Sequence, residues 1–371
     1  MAPQTQKEIH VKEDLSCELM DTPIPTPGPN QLLIKNSTFS INPKDWKLPL
    51  RFPAARLNTP TNPGDDVAGT IAAVGPGVLG FRVGDRVSGF HVMGDKNGAF
   101  AEYSIVPDWS AVHLPDEVDF DRGVTLTLAM YTAAVGLFGN LGYRAPWEPK
   151  VEKKDGRSGL VVIWGGSTTV GAYAIQLAKA AGLGPIITLA GNGAPFVRTL
   201  IDESAGDVIV DYRRSDAAEE VRRIAKEKGF ERIDRVFDCV TDGGVAQRAG
   251  EIFKGQESGV LGIVNYLSDE EKAKIASNVT INQINVGSIH PGMGLAAAMG
   301  VPAEEWGREL GRVFSTWVAA AVRDGRFKTH PTQVVPGGLK PESVEKGLKM
   351  LMNGEVSAKK LVFRVEDTFK N

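Results

Sequence analysis

The segment 159–182 constrains the fold of this chain more than any other part of the sequence. It reads GLVVIWGGSTTVGAYAIQLAKAAG: an apolar, β-branched run stops at two glycines, and apolar residues at helical spacing follow. A strand, a tight turn and a helix leave the first N–H groups of the helix without intrahelical acceptors, and such groups bind a pyrophosphate. We therefore predict a phosphate-binding loop at Gly165, Gly166, Ser167, Thr168, Thr169, Val170 and Gly171.

The spacing of this loop departs from the usual GxGxxG pattern, because Thr168 stands where a glycine is expected. An ordinary buried strand-to-helix turn is therefore the alternative interpretation. The glycines favour the binding interpretation, since they let the backbone approach a ligand and let the helix pack close to the strand.

Length, composition and charge exclude several classes of protein. A chain of 371 residues can form two domains, and 42% hydrophobic with 23% charged residues is typical of a globular protein. The net charge of −3, without a basic block, argues against nucleic acid as a partner. We expect no membrane partner, because we find no apolar run of ~20 residues and no apolar signal core. Two cysteines, Cys17 and Cys239, favour a reducing compartment and a cytoplasmic location.

The pattern of strands and helices divides the chain. The first hundred or so residues are rich in proline and glycine and alternate in short runs, which predicts a small coiled β domain with strands at 31–35, 70–74, 86–90 and 100–106. A helix begins near Asp119 or Asp121. Beyond it, strands alternate with helices, which predicts a parallel, doubly wound sheet with strands at 160–164, 185–189, 207–210, 235–239, 260–264 and 281–287. The remaining elements are expected at 302–323, 333–335, 342–352 and 361–365.

Five motifs in fixed order carry a resemblance to a known family: SINPKDWKLP (40–49), NPGDDVAGTIAAVG (62–75), FRVGDRV (81–87), GAFAEY (98–103) and WGGSTTVG (164–171). The chain resembles the medium-chain dehydrogenase/reductase superfamily, in its zinc-free quinone oxidoreductase and enoyl reductase branch. It is most similar in character to the fungal trans-acting enoyl reductases that serve polyketide synthases. The resemblance implies an α/β fold, with a Rossmann-type doubly wound parallel sheet plus a GroES-like coiled β domain. It places the GroES-like catalytic domain at 1–135, the Rossmann dinucleotide-binding domain at 136–305 and a return to the catalytic domain at 306–371.

The residues that would bind zinc are replaced in this chain. Zinc alcohol dehydrogenases of the superfamily carry His and Glu where Asp65 and Asp66 stand here, and they also need cysteine ligands. The two cysteines lie far apart in the sequence and the five histidines form no ligand-spaced cluster, so we expect no metal. Without zinc to polarise a carbonyl, reduction of an activated C=C bond is favoured over alcohol dehydrogenation.

The stretch 186–195 indicates which nicotinamide cofactor is used. NAD-specific sites place a carboxylate after the second strand, and this stretch has none, so we predict NADPH. Its 2′-phosphate would be bound by Asn192 and a guanidinium. The candidates are Arg198, Arg213 and Arg214, and for each of them a solvated face is the alternative. By resemblance, Gly191 and Tyr212 lie at the adenosine end, and the residues near the nicotinamide and its ribose are Pro43, Lys44, Asp45, Trp46, Val264, Asn265, Val362 and Phe363.

Lys47 and Tyr131 are the candidates for a catalytic donor. Hydride addition to the β-carbon of an enoyl thioester places negative charge on the thioester oxygen, which a donor would stabilise. A surface lysine is the alternative for Lys47, and catalysis by cofactor positioning with a solvent proton is the alternative for both. For the substrate we expect a cleft between the domains lined by Leu128, Ala129, Met130, Thr132, Ile284, Gly287 and Ser288, although some of these apolar residues could equally be core.

The sequence thus predicts NADPH-dependent reduction of an activated C=C bond in the enoyl thioester of a polyketide or related acyl chain. Two alternatives stay open: an NADPH:quinone or enone oxidoreductase, and a weakly catalytic NADPH-binding interaction protein. The expected partners are a small-molecule or carrier-bound acyl substrate and a polyketide synthase. Polar Asn282, Gln283 and Asn285 in the expected edge strand 281–287 favour a monomer.

Overall fold

A computed structural model describes residues 4–51, 62–149 and 159–370. The chain divides into two compact units: the first unit comprises Met1–Tyr131 and Gly287–Asn371, and the second unit comprises Thr132–Val286. The sequence-based division places 287–305 in the dinucleotide-binding domain, whereas the structure groups this segment with the first unit. Contacts within the first unit explain the difference, since Leu295 N donates a hydrogen bond to Met93 O at 2.6 Å.

The first unit begins with seven strands, β1 to β7: Thr5–Val11, Cys17–Pro23, Gln31–Ser40, Asp66–Val74, Arg86–Phe90, Tyr103–Pro107 and Ala111–His113. β1 and β2 form an antiparallel hairpin. β3 is the longest of the described strands and pairs with both β4 and β6. The strands expected at 31–35, 70–74, 86–90 and 100–106 correspond to β3, β4, β5 and β6.

In the described part of the chain, these strands are accompanied by helices α1 to α3 at Pro43–Arg51, Phe120–Gly123 and Thr127–Ala134. A π-helical turn at Val135–Asn140 continues α3. Asp119 is the N-cap of α2, because its side chain accepts from Arg122 N at 2.8 Å. The sequence-based expectation of a helix start near Asp119 is therefore confirmed.

The second unit alternates strands and helices. Its strands, β8 to β13, are Val161–Trp164, Ile186–Leu189, Val208–Val210, Arg235–Asp238, Gly259–Ile263 and Val279–Gln283. Its helices, α4 to α8, are Thr169–Ala180, Ala194–Arg198, Ala217–Glu227, Val245–Gly250 and Asp269–Ala273. The six strands form one parallel sheet in the order β10-β9-β8-β11-β12-β13. This order is that of a Rossmann-type doubly wound sheet, which confirms the predicted fold class.

The chain then returns to the first unit through α9 to α11 at Gly294–Ala298, Trp306–Arg323 and Pro341–Met352, and through β14 and β15 at Thr332–Val334 and Lys360–Arg364. Among the described residues, β14 and β15 join β3 to β7 in one sheet of seven strands, in which β15 pairs with β3. The rings of Phe39 and Phe363 stack at 4.9 Å in the buried core of this sheet. Single 3₁₀ turns lie at Asp108–Ser110, Glu203–Ala205, Glu251–Phe253, Val286–Ile289 and Val365–Phe369.

One helical stretch of the described chain, Phe120–Asn140, is long and apolar enough to cross a membrane by length and composition alone. Its 21 residues contradict the sequence-based expectation that no apolar run reaches the ~20 residues of a membrane span. Since 83% of its most apolar window is buried within the structure, it has the character of a core helix.

Candidate functional site

The turn between β8 and α4 is closed by the side chain of Thr168. Its Oγ1 accepts a hydrogen bond from Gly171 N at 3.0 Å and donates one to Gly165 O at 2.9 Å, so Thr168 is the N-cap of α4. The hydroxyl thus stabilises the turn itself. Thr169 and Val170 follow in the first turn of the helix and are half-buried, and N–H groups at this position have no acceptor within a helix.

Two glycines give this turn its shape. Gly165 has a φ of +88°, a conformation that L side chains rarely adopt. A Cβ on Gly171 would lie 2.2 Å from Gly165 O, so only glycine lets the helix approach the strand this closely. The close approach of helix and strand brings the start of α4, half-buried at 167–170, to the end of β8, an arrangement that fits a dinucleotide phosphate.

A second group of residues lies at the carboxyl ends of β9 and β10. The ring of Tyr212 packs against Gly191, where a Cβ would be 2.8 Å from Tyr212 Cε1. Arg213 donates from Nη1 to Asn192 Oδ1 at 2.7 Å. Asp211 holds the same guanidinium through Nε at 2.9 Å and Nη2 at 2.6 Å, and these hydrogen bonds lower the pKa of Asp211 to about 2.

The three arginine candidates differ in their contacts. Arg198 pairs with Glu203 at 3.5 Å, and Arg214 pairs with Asp216 at 2.8 Å. Arg213 is the candidate whose guanidinium contacts Asn192. The sequence identified all three as candidates but could not rank them by contact.

Arg248 is a residue that the sequence reasoning missed. Its guanidinium lies over the ring of Trp164, 5.4 Å from the centroid, and donates to the carbonyl oxygens of Tyr212 and, at 3.0 Å, Arg214. It supports the segment that carries Arg213. No local motif marks Arg248, because its partners lie far away in the sequence.

The ends of β11 and β12 are joined by a hydrogen-bonded turn that the sequence did not reveal. Asp238 is fully buried, and its Oδ1 accepts from Val240 N and Thr241 N, each at 2.9 Å. Thr241 Oγ1 accepts from Val264 N at 3.1 Å and Asn265 N at 3.4 Å. Burial raises the pKa of Asp238 to about 7.

In the first unit, a buried ion cluster surrounds Lys44. Its Nζ lies 2.6 Å from Asp45 Oδ1 and 2.5 Å from Asp65 Oδ2, and it donates to Pro63 O. Asp65 Oδ1 in turn lies 2.8 Å from His91 Nδ1. Burial raises the pKa of Asp45 to about 6, against the opposing effect of the Lys44 charge.

Asp66 has its own buried cation. Lys360 Nζ lies 2.9 Å from Asp66 Oδ2, which also accepts from Asn42 Nδ2 at 2.8 Å, while Asp66 Oδ1 accepts from Leu128 N at 2.9 Å. Each of the two aspartates that replace the zinc-binding His and Glu is therefore paired with a lysine ammonium group. Among the described residues, no group of three or more His, Cys, Asp or Glu side chains could hold a metal ion.

The two candidate donors have different surroundings. Lys47 lies on α1, is 6% exposed, and has its Nζ 5.5 Å from the centroid of the Trp46 ring. Tyr131 is fully buried, with its hydroxyl 2.5 Å from Ser315 Oγ. Ser315 donates its own hydrogen to Trp109 O at 3.0 Å, so Tyr131 is the donor to Ser315. The Tyr131 hydroxyl thus serves the packing of the first unit, and its burial raises its pKa above the usual value.

The residues expected beside the nicotinamide and the substrate are mostly buried. Val362 and Phe363 lie in β15 and are fully buried, whereas Pro43 is exposed. Ile284 packs against backbone in the second unit, since a Cβ on Gly136 would lie 3.0 Å from its Cδ1. The other substrate candidates are buried except for half-buried Ser288: Leu128, Ala129, Met130, Thr132 and Gly287.

Comparisons with known proteins agree with this architecture. The family "Alcohol dehydrogenase GroES-like domain" matches residues 28–116. Trans-enoyl reductase fsr4 of Gibberella fujikuroi is 32% identical over 336 residues, covering 91% of this chain and 92% of the relative. The structure of CurK enoyl reductase superposes with a TM-score of 0.70 at 20% identity, covering 97% of this chain and 99% of the other. The quinone oxidoreductase from Coxiella burnetii gives a TM-score of 0.69 at 22% identity, covering 98% and 100%.

A GroES-like β unit combined with a Rossmann-type parallel sheet defines an oxidoreductase that uses a nicotinamide cofactor. The chain belongs to the medium-chain dehydrogenase/reductase superfamily, in the branch of the fungal trans-enoyl reductases. The resemblance inferred from the five motifs is therefore confirmed.

Proposed function

We propose that this protein is an NADPH-dependent trans-acting enoyl reductase, which reduces the activated C=C bond of an enoyl thioester delivered by a polyketide synthase. The observation that carries this proposal is the similarity to trans-enoyl reductase fsr4 over nine-tenths of both chains. Bound NADPH would supply a hydride for the β-carbon, and a proton would complete the α-carbon. The residues of this chain have to bind the cofactor, orient it and stabilise charge on the thioester oxygen.

The phosphate-binding part of this site is the turn between β8 and α4. Half-buried Ser167 to Val170 present the start of α4, where backbone N–H groups and the helix dipole favour an anion. Gly166 helps to hold the turn, since its N–H donates to Leu189 O at 2.9 Å.

NADPH is favoured over NADH by the chemistry at the end of β9. The exposed Asn192 amide stands where an NAD-specific site has a carboxylate, and the Arg213 guanidinium lies directly against it. A 2′-phosphate there would gain charge-assisted hydrogen bonds from Arg213, which the hydroxyl of NADH cannot match. Asp211 holds the guanidinium at this position.

The variant Arg213→Ala tests this assignment. We expect the KM for NADPH to rise about tenfold or more, and the KM for NADH to change little, because only NADPH uses the charge. Arg214→Ala is a matched control, since Arg214 is similarly exposed and is paired with its own carboxylate, Asp216. Equal effects of the two substitutions on NADPH would contradict the assignment.

The reaction itself is tested by following loss of nicotinamide absorbance with purified protein and one acceptor at a time. A pantetheine thioester of an α,β-unsaturated acid should be reduced faster than a simple quinone. Reduction of the quinone alone would make the protein a quinone oxidoreductase. Tight NADPH binding with no turnover of either acceptor would make it an interaction protein.

We also propose that the protein is a cytoplasmic monomer. β13 is an edge strand of the parallel sheet. Asn282 on this strand accepts a hydrogen bond at Oδ1 from Asn140 Nδ2 at 3.0 Å and donates one from its own Nδ2 to Asn140 O at 2.9 Å. Polar groups paired in this way discourage the extension of a sheet by a second copy. Both cysteines are free thiols, as a reducing compartment requires. Size-exclusion chromatography with light scattering tests the monomer, and a dimer at micromolar concentration would overturn it.

A further inference from the structure

Thr241 has a backbone conformation that its residue type does not favour. Its φ is +69°, in the left-handed region, and among the described non-glycine residues with positive φ it is the only β-branched one. Such a side chain is strained in this conformation. Gly243 and Gly244, just beyond it, also have positive φ. A threonine among glycines in the same turn indicates that its side chain has a function there.

The side chain of Thr241 connects two strand ends. Its Oγ1 accepts the N–H groups of Val264 and Asn265, which follow β12, at 3.1 and 3.4 Å. Asn265 returns a hydrogen bond from Nδ2 to Val240 O at 3.0 Å. The peptide units that follow β12 are therefore held in one orientation by the turn that follows β11.

Asp238 keeps Thr241 in its strained conformation. One carboxylate oxygen accepts both Val240 N and Thr241 N at 2.9 Å, so the turn is specified by a side chain from the strand itself. The carboxyl group is fully buried at the end of β11, and β11 lies between β8 and β12 in the sheet. These two hydrogen bonds hold the turn, because the buried oxygen has no access to water as an alternative partner.

The turn also touches the phosphate loop. A Cβ on Gly165 would lie 2.6 Å from Val240 Cγ2, so the two segments are in close contact. Both lie at the carboxyl ends of adjacent parallel strands, where ligands bind in open α/β sheets. The position of Thr241 thus links the phosphate loop with the backbone at 264–265.

We propose that Thr241 is a positioning residue for the cofactor: its hydroxyl fixes the peptide units of Val264 and Asn265 for the nicotinamide end of NADPH, and Asp238 holds Thr241 in place. This inference rests on the proposed NADPH-dependent function. The left-handed strain at Thr241 is retained because glycine, although better suited to the backbone, lacks the hydroxyl.

The test compares Thr241→Gly and Thr241→Ser with the wild-type protein, using full-length chains. Thr241→Gly should unfold within a few degrees of the wild-type temperature, because relief of the strain offsets the loss of two hydrogen bonds. It should nevertheless bind NADPH about tenfold more weakly and show a similar rise in the KM for NADPH, because the two N–H groups lose their acceptor. Thr241→Ser keeps the hydroxyl and should retain wild-type affinity.

Ala358→Gly is the control for strain alone, since Ala358 also has a positive φ, of +51°, but lies in the first unit outside the turn. It should leave NADPH affinity unchanged. Wild-type affinity in Thr241→Gly, or loss of affinity in Thr241→Ser, would overturn the role of the hydroxyl while leaving the proposed function intact. Failure of the wild-type protein itself to bind NADPH would overturn both.

Discussion

Replacing Lys44 with methionine should destabilise the first unit strongly. The substitution keeps most of the side-chain volume but removes the cation that lies 2.6 Å from Asp45 and 2.5 Å from Asp65. These two carboxylate residues are 0% and 1% exposed, so water cannot replace the ammonium group. Removal of one partner from a buried ion pair costs about 3–5 kcal/mol of unfolding free energy. We expect a loss in this range near neutral pH.

The loss should depend on pH, with a sign that follows from Asp45. Burial already raises the pKa of Asp45 to about 6, and without the Lys44 charge it should rise further. In the variant, Asp45 then takes up a proton in acid and no longer leaves an unpaired charge. The difference in unfolding free energy between the variant and the wild type should therefore be smaller at a pH below the pKa of Asp45 than at a pH about two units above this pKa.

Denaturant unfolding of both proteins at these two pH values measures the effect. The matched control is Lys349→Met, which removes an exposed lysine 3.6 Å from Glu345 and should cost about 0–1 kcal/mol. The double variant Lys44→Met/Asp45→Asn should recover part of the loss, since it also removes one of the unpaired carboxylates. If Lys44→Met costs no more than Lys349→Met, the buried cluster does not stabilise the fold as argued.

Three further predictions concern single residues. Tyr131→Phe should lose about 1 kcal/mol of stability, because its hydroxyl donates to Ser315, and should keep its turnover; a loss of kcat without a loss of stability would make Tyr131 catalytic. Lys47→Gln should lower kcat about tenfold or more without raising the KM for NADPH, and full turnover would remove Lys47 from the chemistry. In the folded chain, burial raises the pKa of Asp238 from 3.8 to about 7, and the charge of Asp242 adds to this effect. Between these two pH values the folded chain therefore retains a proton on Asp238 that the unfolded chain has lost. Wild-type stability should therefore fall by at most about 4 kcal/mol relative to Asp238→Asn as the pH rises from about 4 to 7, and parallel pH profiles of unfolding would contradict this.

Local sequence patterns determined much of the architecture. The strand at Arg86–Phe90 is found at the bounds that its alternation predicts, and the alternating strands and helices after residue 159 form the expected parallel sheet. The glycines at 165 and 171 predicted the tight turn between β8 and α4, which is found there. These features depend on side-chain periodicity and turn chemistry over a few residues, which a sequence displays directly.

The hairpin of β1 and β2 shows where local patterns fail. All seven residues of β2, Cys17–Pro23, are exposed or half-buried, so the strand lacks the alternation of buried apolar residues that marks a strand. The strand forms because its backbone pairs with β1 along seven residues. Its existence is determined by the partner strand, not by its own composition.

Only the tertiary structure decided which side chains meet. Lys44 and Asp65 are neighbours because α1 packs near the start of β4, and Lys360 reaches Asp66 across almost three hundred residues of chain. The contact of Thr241 with Asn265 likewise requires two strands to end side by side. A sequence shows that a lysine or an aspartate is present, but the free energy of its charge depends on burial and on its partner. Both arise only when distant segments pack together.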